Sequence, residues 1–226
     1  MRYTNTVKGI FVSRPNRFIA NVLVDGEMTV CHVKNTGRCR ELLTDGVVVI
    51  LTKCDHPHRK TKYDLIAVYK GDKLINIDSQ APNALFREWV ENSDLFGNLT
   101  LVKSEQFYQN SRFDFYLESD ERNIFVEVKG VTLEEDGIVK FPDAPTERGV
   151  KHLNELMRAV DDGYEAYIVF VVQMKGCHYF TPNVKTHPEF AVTLKKAINN
   201  CVKAVAFECE VHEDEVKITD FVEIIL

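Results

Sequence analysis

The chain has 226 residues, 45% of them hydrophobic and 27% charged, which suffices for one large domain or two modest ones. No apolar run approaches a membrane span and the start Met1-Arg-Tyr-Thr-Asn lacks the apolar core of a secretory signal, so the expectation is a soluble, cytoplasmic protein with no membrane partner. The formal charge of −6 argues against nucleic acid, but residues 1–80 hold 13 Lys and Arg against 8 Asp and Glu while residues 81–226 hold 15 against 26. A basic module able to carry phosphate contacts thus precedes an acidic one able to hold metal.

Three strand-like runs open the chain, at residues 7–12, 18–24 and 27–33, the last two joined by Asp25-Gly26, a strong hairpin turn. Asn35 and Gly37 interrupt the pattern, and residues 38–43 read as one or two helical turns. Asp45-Gly46 leads into a strand over 47–53, and further strands fit 62–69 and 73–77. Short strands around a small helix describe a small β-barrel of the oligonucleotide-binding (OB) kind, whose face and loops offer a binding surface. Lys53, His56, His58, Arg59, Lys60 and Lys62 form a basic cluster around Pro57, and Arg14, Arg17, Arg38 and Arg40 add positive charge near turns. With Phe18 and Tyr63 nearby they suit phosphate contacts with stacked bases. The alternative is that the aromatics fill the barrel and the cations are merely solvated.

The six cysteines, at 31, 39, 54, 177, 201 and 209, include no Cys-x-x-Cys pair and read as reduced. Cys31, His32, Cys39, Cys54, His56 and His58 can be drawn as a zinc site but lack the short paired spacing of structural ones.

Residues 78–83 break the strand pattern and mark the expected boundary between a first domain, residues 1–80, and a second, residues 81–226. Residues 84–91 set Leu85, Phe86, Trp89 and Val90 on one helical side, with Asn83 or a residue before it as cap. A strand resumes at 99–102. The runs 111–118 and 123–129 then read as a hairpin. Glu127 and Lys129, two apart, leave the same face of a strand, and Asp114 on the partner strand can be directed at them. Two carboxylates and an ammonium at one spot are costly unless paired or metal-bound. Mg²⁺ or Mn²⁺ takes such an oxygen shell and accepts phosphate oxygens, and a lysine beside it can orient the attacking water. The spacing fits a metal-dependent phosphodiesterase with Asp114 and Glu127 as ligands; an ordinary ion pair is the competing reading, because Glu-x-Lys is common. Glu105, and more weakly Glu88 and Glu91, are further acidic candidates.

After a turn at 134–137, the stretch 141–149 carries two prolines and leads into a helix over 147–160, with Thr146 as N-cap and Val150, Leu153, Leu156, Met157 and Val160 as its buried stripe. Lys151 and His152 fall in its first turns, where backbone N–H groups also face an anion. Thr146, Arg148, Lys151 and His152 therefore look like phosphate-positioning or loop-ordering groups. Arg148 can equally lock the loop through Asp143 or Glu147, and His152 is either a general acid, a phosphate donor or a structural histidine. Residues 164–172 form a continuous apolar run, the mark of a central strand covered on both faces. Strand, helix and strand around Gly163 make a crossover unit. A helix over 188–200 and strands over 203–210 and 215–221 complete an α/β second domain with a mixed sheet.

Asn35-Thr-Gly37, the His56-Pro-His-Arg-Lys60 region, Ser111-Arg-Phe-Asp114, Phe125-Val-Glu-Val-Lys129 with Val131-Thr-Leu133, and above all Phe141-Pro-Asp-Ala-Pro-Thr-Glu-Arg-Gly149 followed by Lys151-His-Leu153 resemble the sugar fermentation stimulation (SfsA) protein family over essentially the full length. The resemblance implies an N-terminal OB-like barrel followed by a restriction-endonuclease-like domain similar to the PD-(D/E)xK nucleases. Asp114, Glu127 and Lys129 would be its nuclease-type core, and Asp143, Thr146, Glu147, Arg148, Lys151 and His152 its characteristic loop and helix start. Family members are described as DNA-binding proteins linked to the regulation of sugar, particularly maltose, metabolism. The implied partner is DNA rather than RNA, self-association is left open, and a nuclease stands against a non-catalytic DNA-binding regulator. Two departures stand out: Val33-Lys34 replaces a common Cys-Pro pair, and Gly130 replaces a common asparagine beside the expected metal.

Overall fold

Ala20, Val22 and Val24 are buried between half-exposed neighbours in β2 (Ile19–Val24), and Cys31 and Val33 are buried in β3 (Glu27–Val33), the period-two pattern of a sheet with one face inward. The computed structural model describes residues 1–35, 37–54, 59–120 and 122–226. In it these strands join β1 (Thr6–Asn16), β4 (Val48–Lys53), β5 (Tyr63–Lys70) and β6 (Lys73–Asn76). Neighbours run β3–β2–β1–β4–β5–β6, and parallel pairing of His32 with Asp64 and of Val33 with Leu65 joins β3 to β5. The result is a closed five-stranded barrel with β6 appended, the OB arrangement expected for the first half. The segment expected to be helical after Gly37 is a turn. Leu42 and Leu43 both return their N–H groups to the carbonyl of Cys39, whose φ of 44° interrupts a right-handed helix.

Beyond the barrel, α1 (Ala81–Val90) starts at Gln80 with Pro82 in its first turn, so Asn83 lies inside the helix and does not cap it. The 3₁₀ turn Asp94–Phe96 precedes β7 (Leu99–Tyr108), β8 (Ser111–Ser119), β9 (Arg122–Val131), β10 (Leu133–Glu135) and β11 (Ile138–Phe141). Then come α2 (Glu147–Asp161), β12 (Glu165–Val172), β13 (Tyr179–Pro182), α3 (Pro188–Asn199), β14 (Lys203–Val211) and β15 (Val216–Val222). The main sheet has the order β15–β14–β12–β9–β8–β7; β12 is parallel to β9 and β14, and the other pairs are antiparallel. The unit β9–α2–β12 is the crossover expected around Gly163, and β12 is buried from Ala166 to Val172.

One face of this sheet is covered by α1, whose Leu85, Phe86 and Val90 meet Phe115, Val126 and Val169. The other is covered by α2 and α3, where Leu153, Leu156, Phe190 and Leu194 join Phe125 and Ile168 in an apolar cluster that runs on into the barrel to Leu51 and Leu65. Each such side chain contributes about 1.5–3 kcal/mol when fully buried, so shared packing, and not only a linker, sets the barrel against the sheet. Residues 2 and 3 also pack on the second half: Arg2 forms a bridge with Glu215, and the Tyr3 N–H bonds to the Asp214 carbonyl. Among the described residues no helix is long and apolar enough to cross a membrane.

Candidate metal and nucleic-acid site

Strands β8 and β9 pair from Ser119 with Arg122 to Phe115 with Val126, and beyond that point no further pair continues the ladder. There the side chain of Asp114 takes over: Oδ2 accepts the N–H of Val128 at 2.8 Å, and Oδ1 accepts the side-chain amide of Asn83, from α1, at 2.9 Å. Alternation along β9 sends Phe125, Glu127 and Lys129 toward α2. Glu127 is only 2% exposed. Its Oε1 accepts from the Lys129 ammonium and from Nδ1 of His152. Its Oε2 is buried and has no hydrogen-bond partner among the described residues.

Helix α2 supplies the histidine. Thr146 caps it, Oγ1 accepting the Gly149 N–H at 3.0 Å, and His152 then faces β9 from the second turn. Its Nε2 accepts the Nε–H of Arg148 at 3.3 Å. A guanidinium can only donate, so Nδ1 carries the ring proton toward Glu127. The ring also meets Phe113 edge-on, centroids 6.2 Å apart.

Burial pushes the Asp114 carboxyl above its ordinary range, and the nearby charge of Glu127 adds to that, against the Val128 N–H, Lys129 and Asn83. For Glu127 burial also favours the neutral form, but Lys129 and His152 outweigh it and hold its carboxyl below the ordinary range. Two mutually repelling carboxylates, one with an orphaned buried oxygen, form a hard-oxygen donor set that fits Mg²⁺ or Mn²⁺.

The barrel reaches this region through Gly37. A Cβ there would stand 2.9 Å from Oδ2 of Asp143 and from Oδ1 of Asn35, a contact with the 141–149 loop that favours a residue without a side chain. Asn35, Gly37, Gly130, Lys140, Asp143 and Gln173 border a cavity of about 290 Å³ between the two halves. Gly37 also borders a concavity of about 440 Å³ that Arg14, Arg17, Arg38 and Arg40 line. A cationic barrel surface therefore meets, at Gly37, the cavity that Gly130 borders. Arg17, Arg38, Arg40, Lys60 and Lys62 are exposed, and the Arg17 guanidinium lies 5.0 Å from the ring centroid of Phe18, itself 46% exposed.

Two family models match the chain, the SfsA N-terminal OB domain over residues 12–77 and the sugar fermentation stimulation protein RE domain over residues 80–215. The chain belongs to the sugar fermentation stimulation protein (SfsA) family. A sugar fermentation stimulation protein homolog of Desulfitobacterium hafniense is 62% identical over 222 residues, 98% of this chain and 97% of the relative. One from Clostridium beijerinckii is 57% identical over 226 residues and all of both chains. The structure of Pyrococcus furiosus SfsA in complex with Ca²⁺ matches with a TM-score of 0.91 at 27% identity, covering 100% of this chain and 98% of that one.

Several of the candidate residues have partners within the protein. Arg148 reaches His152, not Asp143 or Glu147. Lys151 donates to the carbonyl of Asn110 at 2.9 Å and so orders the β7–β8 turn. Glu105 pairs with Arg112 at 3.4 Å, Glu91 with Arg87 at 3.5 Å, and Glu88 is exposed. Gly130 lies across the strand from Glu127 and Lys129: a Cβ there would sit 2.6 Å from Oε1 of Gln173 and 2.7 Å from Pro82. Two of the expected phosphate contacts are already committed. Arg14 donates to the carbonyls of Arg17, Asn35 and Arg38, and Arg59 grips Asp64 at 2.5 and 2.8 Å. His58 lies outside the described residues, as does His56. The zinc reading fails for Cys31, Cys39 and His32: the two cysteines lie in the barrel core, burial pushing both thiols up to about 12, and His32 is held by Asp64.

Three site residues escape sequence reasoning. Asn83 reads as a cap but bonds Asp114. Gln173, at the end of β12, donates to Oδ1 of Asn76 at 2.8 Å and to the Asp78 carbonyl at 3.0 Å, tying barrel to sheet. His187 accepts the Thr146 N–H through Nδ1 at 3.2 Å. Glu147, His187 and Glu189 offer atoms within 4.8 Å of one another. With Nδ1 accepting, however, the neutral ring keeps its proton on Nε2, which is then no metal donor.

Proposed function

We propose that the chain is a DNA-binding, divalent-metal-dependent nuclease of the PD-(D/E)xK type that hydrolyses phosphodiester bonds at Asp114, Glu127 and Lys129. The observation carrying this reading is the buried, unpartnered Oε2 of Glu127 beside a second carboxylate whose ionisation burial already opposes. The Ca²⁺ of the P. furiosus relative supports a hard-cation centre in this fold. Asp114 and Glu127 would hold Mg²⁺ or Mn²⁺, which when bound supplies a water of lowered pKa and takes up developing phosphoryl charge. Lys129, at the Oε1 edge of Glu127, orients the attacking water and meets a phosphate oxygen. His152, backed by Arg148, is a positioning residue that holds Oε1 of the carboxylate and leaves Oε2 unpartnered for the metal. Arg17, Arg38 and Arg40, extended by Lys60 and Lys62, hold the nucleic-acid backbone on the barrel. Free cysteines fit a cytoplasmic location.

A regulator that binds DNA without cutting it is the second reading, favoured by the family's description as a sugar fermentation stimulation protein. Purified protein with Mn²⁺ is expected to cleave DNA, and Glu127→Ala and Lys129→Ala to abolish cutting while leaving binding intact. Equal residual cleavage by both variants would mark a contaminant and defeat the assignment. Binding without any cleavage would leave the regulator.

A further inference from the structure

The tip of the β7–β8 hairpin carries an aromatic and an arginine that the proposed chemistry does not use. Phe107 is 69% exposed. Arg112 is its cross-strand partner, with the guanidinium 5.9 Å from the ring centroid. Arg112 lies two residues before Asp114 on β8, so the pair stands about 7 Å along the strand from that carboxylate.

We infer that the hairpin is a stacking platform for single-stranded nucleic acid: an unpaired base beside the scissile phosphodiester packs on Phe107, and Arg112 meets the adjoining phosphate. The inference rests on the nuclease reading and names its substrate class. An exposed ring accepts any base face, and an arginine beside it adds charge attraction. In a duplex the base faces are already covered by their neighbours, so Phe107 has nothing to stack on until a strand is unpaired. The pairing of Arg112 with Glu105, both largely exposed, is weak enough for a phosphate to displace. The platform is also held still. Lys151 bonds the Asn110 carbonyl at 2.9 Å, the Tyr108 hydroxyl donates to Asp162 at 2.6 Å, and Gln109 reaches the same carboxylate, so little ordering is lost on binding. Arg17 and Phe18 repeat the arrangement on the barrel.

A second copy of the chain is the competing occupant, since β7 is an edge strand. Glu105, at φ 58°, breaks the flat edge, and Lys103 and Glu105 place exposed charges along it, the devices that discourage edge pairing.

The test measures binding of a fluorescent single-stranded oligonucleotide and of the matching blunt duplex to the full chain in Ca²⁺ at fixed salt, with sedimentation velocity alongside. Phe107→Ala should weaken single-strand binding about tenfold and leave duplex binding within about twofold, and Phe107→Tyr should restore the parent value. Equal losses on both substrates, no loss on the single strand, or a smaller sedimentation coefficient for Phe107→Ala would each overturn the platform. If the parent chain cuts DNA and Phe107→Ala is indifferent to strandedness, only this inference fails; if the parent neither binds nor cuts any nucleic acid, the nuclease reading fails with it.

Discussion

His152 and Glu127 share one hydrogen bond, from Nδ1 to Oε1, and that bond leaves Oε2 as the free edge of the carboxylate. Removing it with His152→Phe should lower metal affinity about 10- to 100-fold while cleavage at saturating Mn²⁺ stays near the parent rate. Arg148→Ala should do the same more weakly, since it acts through the ring. Mn²⁺ titrations of the cleavage rate decide it: a loss that high metal fails to restore, with a changed pH profile, would put the imidazole in the chemistry itself.

Asp114 should reveal the metal-free site as a source of instability. Its carboxyl is raised in the folded chain, so the stability it contributes is full below the ordinary carboxylate pKa and is lost as pH rises through the raised value. Asp114→Asn should therefore increase the Tm of the metal-free protein at neutral pH by about 2–4 °C and abolish the stabilisation that added Mg²⁺ gives. The difference should shrink as pH falls below about 4. Calorimetry across pH, in chelator and in Mg²⁺, measures all three.

The opposite sign belongs to Glu127. Its depressed carboxyl contributes stability above the ordinary glutamate pKa that is lost as pH falls through the lower folded value. Glu127→Gln leaves the Lys129 ammonium without its anion in a mostly buried place and should cost on the order of 3 kcal/mol at neutral pH. Urea denaturation of both variants provides the check, and destabilisation by both would contradict the different environments of the two acids.

On the barrel, the arginines should separate into those that bind and those that build. Reversing charge at Arg17, Arg38 and Arg40 together should weaken DNA binding and reduce the salt slope by about 2–3 units of log K against log salt. Arg59→Ala should leave that slope alone and lower Tm, because Asp64 loses its twofold partner. A reduced slope for Arg59→Ala would return that side chain to the binding surface.

Much of this architecture is readable in the chain. Asp25-Gly26 fixes a hairpin, Thr146 caps α2 as its hydroxyl and position demand, and the alternation through Glu127 and Lys129 sends both side chains to one face. What escapes depends on how strands part and which groups folding brings alongside. The polar segment from Lys103 to Gln106 shows no strand pattern, because an edge strand needs backbone bonds but no second buried face. Positive charge at Arg14 and Arg59 suggests phosphate, yet nothing in composition tells that three carbonyls and the carboxylate of Asp64 stand within reach. Asn83 looks like a cap until Pro82 is recognised as lying in the first turn.

Where β8 leaves β9, the carboxylate of Asp114 mends the gap by taking the N–H of Val128. Under the proposed function this side chain has two duties, metal and sheet, and the second does not depend on the first. A relative that binds DNA without cutting it would still need an acceptor at this position, so asparagine fits its place and an aliphatic residue does not. Lys129, by contrast, makes no such bond to the sheet among the described residues, and its replacement leaves the strands joined.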